Sequence, residues 1–134
     1  MFAVFDLDGT LARNTPRNRH VPQDYDLYHA DGLTTMPLRT IVSTAHALQA
    51  EGHRVEVWTG RPDKYSQGTT KWLTGIGLFC PLRMRPADSN ESSMEFKIRM
   101  CEAFGYPNLV FDDRPECVAV WRTHGIDACL VHCE

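Results

Sequence analysis

The chain has 134 residues, 43% of them hydrophobic, and a formal net charge of −3. That is enough apolar material for one core, and a single domain over 1–134 is expected. The acidic balance argues against a broad nucleic-acid-coating surface, which is normally basic, but not against a local basic groove. No run reaches the roughly 20 apolar residues of a membrane span, and the apolar start meets Asp6 too early for a signal peptide, so a cytoplasmic protein is expected. Cys80, Cys101, Cys117, Cys129 and Cys133 include no CxxC pair and read as reduced thiols. Strand alternation would put Cys129 and Cys133 on the opposite face from His132, which argues against a zinc clip there.

Residues 2–7 read as a buried strand, apolar except for Asp6. The turn Asp8-Gly9-Thr10 then opens a polar stretch, 13–36, with too few apolar residues for its own core. It reads as a short flap or lid anchored by Tyr25, Leu27 and Tyr28, not as a large cap domain. Arg13, Arg17, Arg19 and His20 gather positive charge in it, either to meet a polyanionic substrate or as an ordinary solvated loop. Thr35-Met36-Pro37 resembles a helix start with Thr35 as N-cap, and Leu38, Ile41, Val42, Ala45 and Leu48 follow at helical spacing until Gly52. Residues 53–58 alternate as a second strand that ends in Thr59-Gly60-Arg61.

A helix over 63–75 packs through Tyr65, Trp72 and Leu73, and a short strand covers 82–84. Ser92 and Glu95 have capping-box spacing and start a helix that carries Lys97. Leu109-Val110-Phe111 runs as a strand into Asp112-Asp113-Arg114-Pro115; a helix through Val118, Val120 and Trp121 and a last strand over 126–131 close the pattern. Strands alternating with helices in this way predict an α/β fold: one doubly wound, Rossmann-like parallel sheet of about five strands with helices on both faces.

Three strand ends carry polar groups: Asp6 with Asp8, Thr59 with Arg61, and Asp112 with Asp113. In an open parallel sheet these carboxyl ends share one crevice. Crowded carboxylates repel unless a cation joins them, and hard oxygen donors suit Mg²⁺, which also binds phosphate oxygens. A magnesium phosphotransfer site is the chemical reading. Taken alone, Asp112 and Asp113 are equally an acidic helix N-terminus.

The order of Asp6-Leu7-Asp8-Gly9-Thr10, Thr59-Gly60-Arg61, a helical Lys97 and Phe111-Asp112-Asp113-Arg114 resembles the haloacid dehalogenase-like phosphohydrolases over residues 2–131. This resemblance implies that Asp6 attacks the phosphoryl group to form an aspartyl-phosphate, while Asp8 protonates the leaving oxygen and then activates water. Thr59, Gly60 and Lys97 would hold phosphoryl oxygens. Asp6, the Asp8 backbone carbonyl and Asp112 would hold Mg²⁺, with Asp113 joined to the ion through water. A carboxylate suits the nucleophile's role because it is ionised at neutral pH, and Lys97 suits an in-line transfer that depends on positioning and charge.

A narrower resemblance is to the 3′-phosphatase domain of phage-type polynucleotide kinase/phosphatase. It rests on Arg17, Thr59-Gly60-Arg61, Thr70-Lys71-Trp72-Leu73, Leu82-Arg83-Met84-Arg85, Phe96-Lys97, Phe111 to Pro115, Val120-Trp121-Arg122 and Gly125-Ile126. It implies that Arg17 and Arg61 engage the substrate phosphate and that Arg85 adds to the groove. Trp72 and Trp121 read as core rather than as base-stacking platforms, and Arg83 and Arg85 alternate onto one side of their strand. The chain lacks a G-x-x-x-x-G-K-[ST] loop, so 5′-kinase activity is not expected, and Ser93 stands where the family tends to have an acidic residue.

The preferred expectation is a Mg²⁺-dependent phosphatase that removes 3′-terminal phosphates from DNA or RNA ends, with room for a separate kinase or ligase partner. In a phage-encoded protein the compartment would be the host cytoplasm. The alternative is a phosphatase of mononucleotides or other small phosphoesters. A third reading is a phosphate-binding module without turnover. The oligomeric state is not legible.

Overall fold

The computed structural model describes residues 1–13 and 35–132. Most of the stretch expected to form a flap, including Arg17, Arg19, His20, Tyr25, Leu27 and Tyr28, lies outside the described residues, as does Cys133. The elements in chain order are β1 (Phe2–Phe5), α1 (Arg39–Ala50), β2 (Arg54–Pro62), a 3₁₀ turn (Asp63–Tyr65), α2 (Ser66–Gly75) and β3 (Leu82–Arg85). They continue with α3 (Ser93–Phe104), β4 (Leu109–Asp112), α4 (Pro115–Thr123) and β5 (Asp127–Leu130). The five strands form one parallel sheet in the order β3-β2-β1-β4-β5. This is the Rossmann-like arrangement that the alternating pattern predicts.

The sheet is apolar on both faces because each face is packed by helices, which explains why its strands read as nearly continuous hydrophobic runs. Along β1, Ala3 and Phe5 enter one core cluster with Val42 and Ala45 of α1 and Leu73 of α2. Phe2 and Val4 enter the other, with Phe96 and Met100 of α3 and Val118 and Trp121 of α4. Trp58 and Trp121 are fully buried in that second cluster, their ring centroids 6.5 Å apart. On the first face Phe5 stacks on Phe111 at 4.6 Å. Burying side chains of this size contributes about 1.5–3 kcal/mol each.

Two local expectations are corrected. α1 begins at Arg39 with Leu38 as N-cap and no side-chain cap, so Thr35 does not cap it. The backbone just before the helix is committed elsewhere: Arg13 donates to the Met36 carbonyl at 2.9 Å and Leu38 donates to the Leu11 carbonyl at 2.8 Å. The Ala12–Pro37 bridge thus staples the turn after β1 to the entry of α1. β2 spans Arg54–Pro62 rather than 53–58, so the alternation extends through Thr59-Gly60-Arg61, whose polar groups lie at the strand's carboxyl end as expected.

A buried acid on β2 is visible only in three dimensions. Glu56 is 1% exposed, an unusual place for a carboxylate. It accepts hydrogen bonds from Trp58 Nε1 at 3.0 Å, Arg83 Nε at 3.0 Å, and Arg54 Nε and Nη2 at 2.8 and 2.6 Å. Burial alone would raise its pKa, but the bonds from Trp58, Arg54 and Arg83 outweigh that and hold it below the usual carboxylate value. Arg54 in turn lies 3.7 Å over the Phe2 ring and Arg83 3.7 Å over Phe104. The network ties β2 and β3 to the carboxyl end of α3 through Phe104.

Candidate active site

β1 lies between β2 and β4, so the three polar strand ends are adjacent. Asp6 donates its backbone N–H to the Phe111 carbonyl at 3.0 Å, extending the ladder one step and bringing Asp6 beside Asp112. After β1 the chain wraps tightly: the N–H groups of Thr10, Leu11 and Ala12 all point to the Leu7 carbonyl at 3.0 to 3.1 Å. Gly9 makes this turn at φ 83°, a conformation that a side chain strongly disfavours. Asp8 thereby turns back over the strand end.

Lys97 supplies a buried cation to this crevice. The capping box predicted for Ser92 and Glu95 is present and fixes the start of α3, one turn before the lysine. From there the Lys97 side chain, 3% exposed, places Nζ 2.9 Å from Asp6 Oδ1 and 3.2 Å from Asp112 Oδ2. Burial pushes the Lys97 ammonium down, but the charges of Asp6 and Asp112 more than reverse it, so the pKa rises and the group stays protonated.

Asp6, Asp112 and Asp113 each present an oxygen within 4.8 Å of the others. Burial, then the Asp6 charge, raise the Asp112 carboxyl, partly offset by Lys97 and by the Arg114 N–H that donates to Asp112 Oδ1 at 3.2 Å. Asp113 is pushed up to about 8 by burial, the facing Asp6 carboxylate and Asp112. Its Oδ1 is buried with no hydrogen-bond partner among the described residues. A small cluster of hard oxygens, crowded enough to resist ionising together, fits a divalent cation such as Mg²⁺. Among the described residues this is the one such group. The carboxylate of Asp8 is outside it.

Asp8 instead faces Arg61, whose Nη1 donates to Asp8 Oδ1 at 3.3 Å. The Arg61 side chain is fully buried. Its Nε donates to Thr69 Oγ1 at 3.2 Å, and that hydroxyl donates to the Tyr65 carbonyl at 2.8 Å. α2 and the 3₁₀ turn thus hold the guanidinium against Asp8. Thr59, 1% exposed, accepts the Arg61 N–H on its Oγ1 at 3.0 Å. The Gly60 carbonyl accepts from Arg85 Nε at 3.0 Å, and Arg85 Nη1 donates to the Ser89 carbonyl at 3.0 Å.

The structure brings together Asp6, Asp8, Thr59, Gly60, Arg61, Lys97, Asp112 and Asp113; Arg17 lies outside the described residues. Arg83 and Arg85 do not share an anion: Arg83 binds Glu56 while Arg85 binds backbone carbonyls of the β2 end and the β3–α3 loop. Trp121 is core, and Trp72 is half-buried with its Nε1 donating to the Thr35 carbonyl at 3.1 Å. Two neighbours make contacts that the sequence did not reveal. Arg114 faces Asp6, Asp113 and the Cys117 thiol, and these contacts keep its guanidinium charged against the effect of burial. Ser93 presses on Gly60: a Cβ built on Gly60 would lie 2.5 Å from Ser93 Oγ and 3.2 Å from Ser93 Cα. The only sequence signal for this contact is the pairing of two very small residues at the two element ends.

Residues 1–133 match the family model for the polynucleotide kinase PNKP phosphatase domain. The chain belongs to that family. The PNKP-type domain is accordingly a phosphatase of the haloacid dehalogenase-like class. Its fold is similar to that of a chain in the Pnkp1/Rnl/Hen1 RNA repair complex, at TM-score 0.80 and 19% identity over 96% of this chain and 41% of that one. A second structure of a Pnkp1/Rnl/Hen1 complex matches at TM-score 0.79 and 22% identity, over 96% of this chain and 45% of the other. The PNKP-type domain therefore spans less than half the length of these two chains. The haloacid dehalogenase-like domain of effector protein Lem4 from Legionella pneumophila matches at TM-score 0.62 and 10% identity, over 98% and 86% of the two chains. No helix of the described residues is long and apolar enough to cross a membrane.

Proposed function

We propose that this domain is a Mg²⁺-dependent phosphatase that removes the 3′-terminal phosphate from DNA or RNA ends, leaving a 3′-hydroxyl for ligation or extension. The observation that carries the reading is the position of Asp6, between the buried Lys97 ammonium and the Asp112–Asp113 pair at the mouth of the sheet. A carboxylate so placed is a nucleophile held beside a cation, as attack on a phosphate dianion requires.

In this mechanism an Asp6 oxygen forms a bond to phosphorus as the bond from phosphorus to the 3′ oxygen breaks. Asp8 gives its proton to the leaving 3′ oxygen. It then takes a proton from a water that attacks the aspartyl-phosphate, releasing inorganic phosphate and restoring Asp6. Arg61, locked on Thr69, orients Asp8 and presents its cationic edge to the phosphoryl group. Thr59 and the Gly60 backbone line the other side, and Lys97 offsets charge on the phosphoryl oxygens. Asp6, Asp112 and the Asp8 carbonyl would hold Mg²⁺, with Asp113 joined to it through water, and the ion when bound would neutralise phosphate charge next to the nucleophile. Arg17, by the family resemblance, engages the same phosphate. The kinship with chains of an RNA repair complex supports work beside a kinase or ligase.

The test is Mg²⁺-dependent phosphate release from matched oligonucleotides phosphorylated at the 3′ or the 5′ end, with a 3′-mononucleotide and an aryl phosphate alongside. Strong preference for the 3′-phosphorylated oligonucleotide supports the assignment. Activity on the small esters alone keeps the aspartate chemistry and rejects the polynucleotide substrate. No activity on any of them favours a phosphate-binding module.

A further inference from the structure

The carboxyl end of β2 is not regular. Val57, Trp58 and Thr59 pair with Leu82, Arg83 and Met84 of β3, but the next pair is Pro62 with Arg85, so Gly60 and Arg61 bulge out of the ladder. The pairing of β2 with β1 ends earlier still, at Val57 with Phe5. Bulges beside active sites re-aim side chains. Here the bulged residue is Arg61, whose Nη1 donates to Asp8 Oδ1.

A bulge takes backbone groups away from their ladder partners, and buried ones must be satisfied elsewhere. The Gly60 carbonyl and the Arg61 N–H belong to one planar trans peptide unit and point in opposite directions. The carbonyl accepts from Arg85 Nε at 3.0 Å, and the N–H donates to Thr59 Oγ1 at 3.0 Å. Side chains thus hold this peptide plane at both ends. Because Thr59 Oγ1 accepts there, the hydroxyl hydrogen of Thr59 points away from the Arg61 N–H. Arg85 is itself anchored: its Nη1 donates to the Ser89 carbonyl at 3.0 Å. The loop that carries Ser89 is tied down by the Ala87 N–H on Asp63 Oδ1 at 3.0 Å, the Glu91 N–H on Ser89 Oγ at 3.1 Å, and the Arg99 guanidinium on the Glu91 carboxylate.

We propose that Arg85 is a positioning residue of the phosphatase reaction. By holding the Gly60 carbonyl it fixes the peptide plane between Gly60 and Arg61, and so sets both the aim of Arg61 at Asp8 and the direction in which the Thr59 hydroxyl donates. This deepens the proposed function and rests on it. Arg85 acts here through its two directed N–H groups and not through its charge, which separates it from an arginine that binds the phosphates of a strand. The arrangement also gives the bulge a purpose: a regular ladder would spend the Gly60 carbonyl and the Arg61 N–H on strand neighbours, leaving neither Arg85 nor Thr59 a hold on the peptide.

Three variants test it. Arg85→Lys keeps the charge but has one nitrogen in place of the two that reach Gly60 and Ser89, and Arg85→Met loses charge and donors together. Arg83→Lys is the control, two residues earlier on the same strand, where Nε binds Glu56 and not the β2 end. Both Arg85 variants lower kcat at least about fivefold, equally on a 3′-phosphorylated oligonucleotide and on a 3′-mononucleotide, while Arg83→Lys keeps kcat within about twofold. In isotope-labelled protein without substrate, the NMR resonances of the Arg61 backbone N–H and Nε–H shift in both Arg85 variants and stay in place in Arg83→Lys. An arginine that contacts the strand gives another pattern: Arg85→Lys stays active, and Arg85→Met loses through KM on the oligonucleotide alone, with the slope of log KM against log salt lower by about 0.7. That pattern overturns the proposal, as do unmoved Arg61 resonances or an Arg83→Lys enzyme as impaired as Arg85→Lys. A wild type inactive on every phosphate ester defeats the phosphatase reading, and the catalytic role of Arg85 with it, before any variant is made.

Discussion

Replacing Gly60 with alanine tests whether the end of β2 and the start of α3 are locked at the distance catalysis needs. Gly60 is not among the positive-φ glycines, so the backbone itself tolerates a side chain, and the obstacle is space alone. The new methyl would sit 2.5 Å from Ser93 Oγ, 2.6 Å from Ser93 Cβ and 3.2 Å from Ser93 Cα. Carbon atoms pack best at about 3.5–4.0 Å, so α3 must withdraw by about 1 Å at its first turn. Lys97 is one turn further along the same helix, and its contacts to Asp6 and Asp112 are 2.9 and 3.2 Å long. A displacement of about 1 Å in a catalytic group costs up to about 100-fold in rate, and overpacking costs about 1–3 kcal/mol of stability. Phosphate release from a 3′-phosphorylated oligonucleotide is expected to show kcat reduced about 10- to 100-fold with a smaller change in KM. Adding Ser93→Gly removes the two shortest contacts and leaves only the 3.2 Å one, so the double variant recovers most of kcat. A Gly60→Ala enzyme with wild-type kcat, or a double variant no better than the single, refutes the reasoning.

Asp6→Asn leaves a neutral amide that cannot form the aspartyl-phosphate, and turnover falls at least about 1,000-fold in the same assay; residual activity near the wild-type level would remove Asp6 as nucleophile. Thr69→Val keeps the shape but deletes the hydroxyl that anchors Arg61 Nε, and kcat drops about tenfold with intact folding, whereas unchanged kinetics would mean Arg61 needs no such support. The Asp113 carboxyl, raised from 3.8 to about 8, binds its proton more tightly folded than unfolded. The contribution of Asp113 to metal-free stability therefore declines as pH rises from about 4 to 8. Mg²⁺ competes with that proton, so the Tm gain on adding it grows across the upper part of this range, and a gain independent of pH counts against the cluster. Glu56→Ala strands the fully buried Trp58 Nε1 and deprives the half-buried Arg83 of its carboxylate, lowering unfolding free energy by about 2 kcal/mol, read as a lower urea midpoint; a loss below about 1 kcal/mol would make the network decorative.

Much of the architecture is legible because it is written in local patterns. The apolar runs before Asp6, Thr59 and Asp112, the helical spacing after Pro37, and the Ser92–Glu95 capping box all depend on neighbours within a few residues. Where local chemistry competes with a distant backbone partner, the pattern misleads. Thr35 has the right residue type for an N-cap, yet the Ala12–Pro37 bridge keeps the segment extended until Leu38. Arg83 and Arg85 share a side of β3, as alternation requires, but Glu56 captures one and backbone carbonyls the other.

The sequence by itself determined the parallel α/β order, the acids and threonine at the strand ends and the lysine on a helix, because side-chain periodicity and turn residues constrain each element independently of the rest. Only the tertiary structure decided which charges meet. Asp6 and Lys97 are 91 positions apart and Asp8 and Arg61 53 apart, so no local rule pairs them. That choice follows from strand register and from how deeply each helix beds on the sheet, which set distances to within an ångström. Burial then fixes the consequences: it makes Asp113 resist ionisation beside Asp6, and it leaves Gly60 no room for a single methyl group.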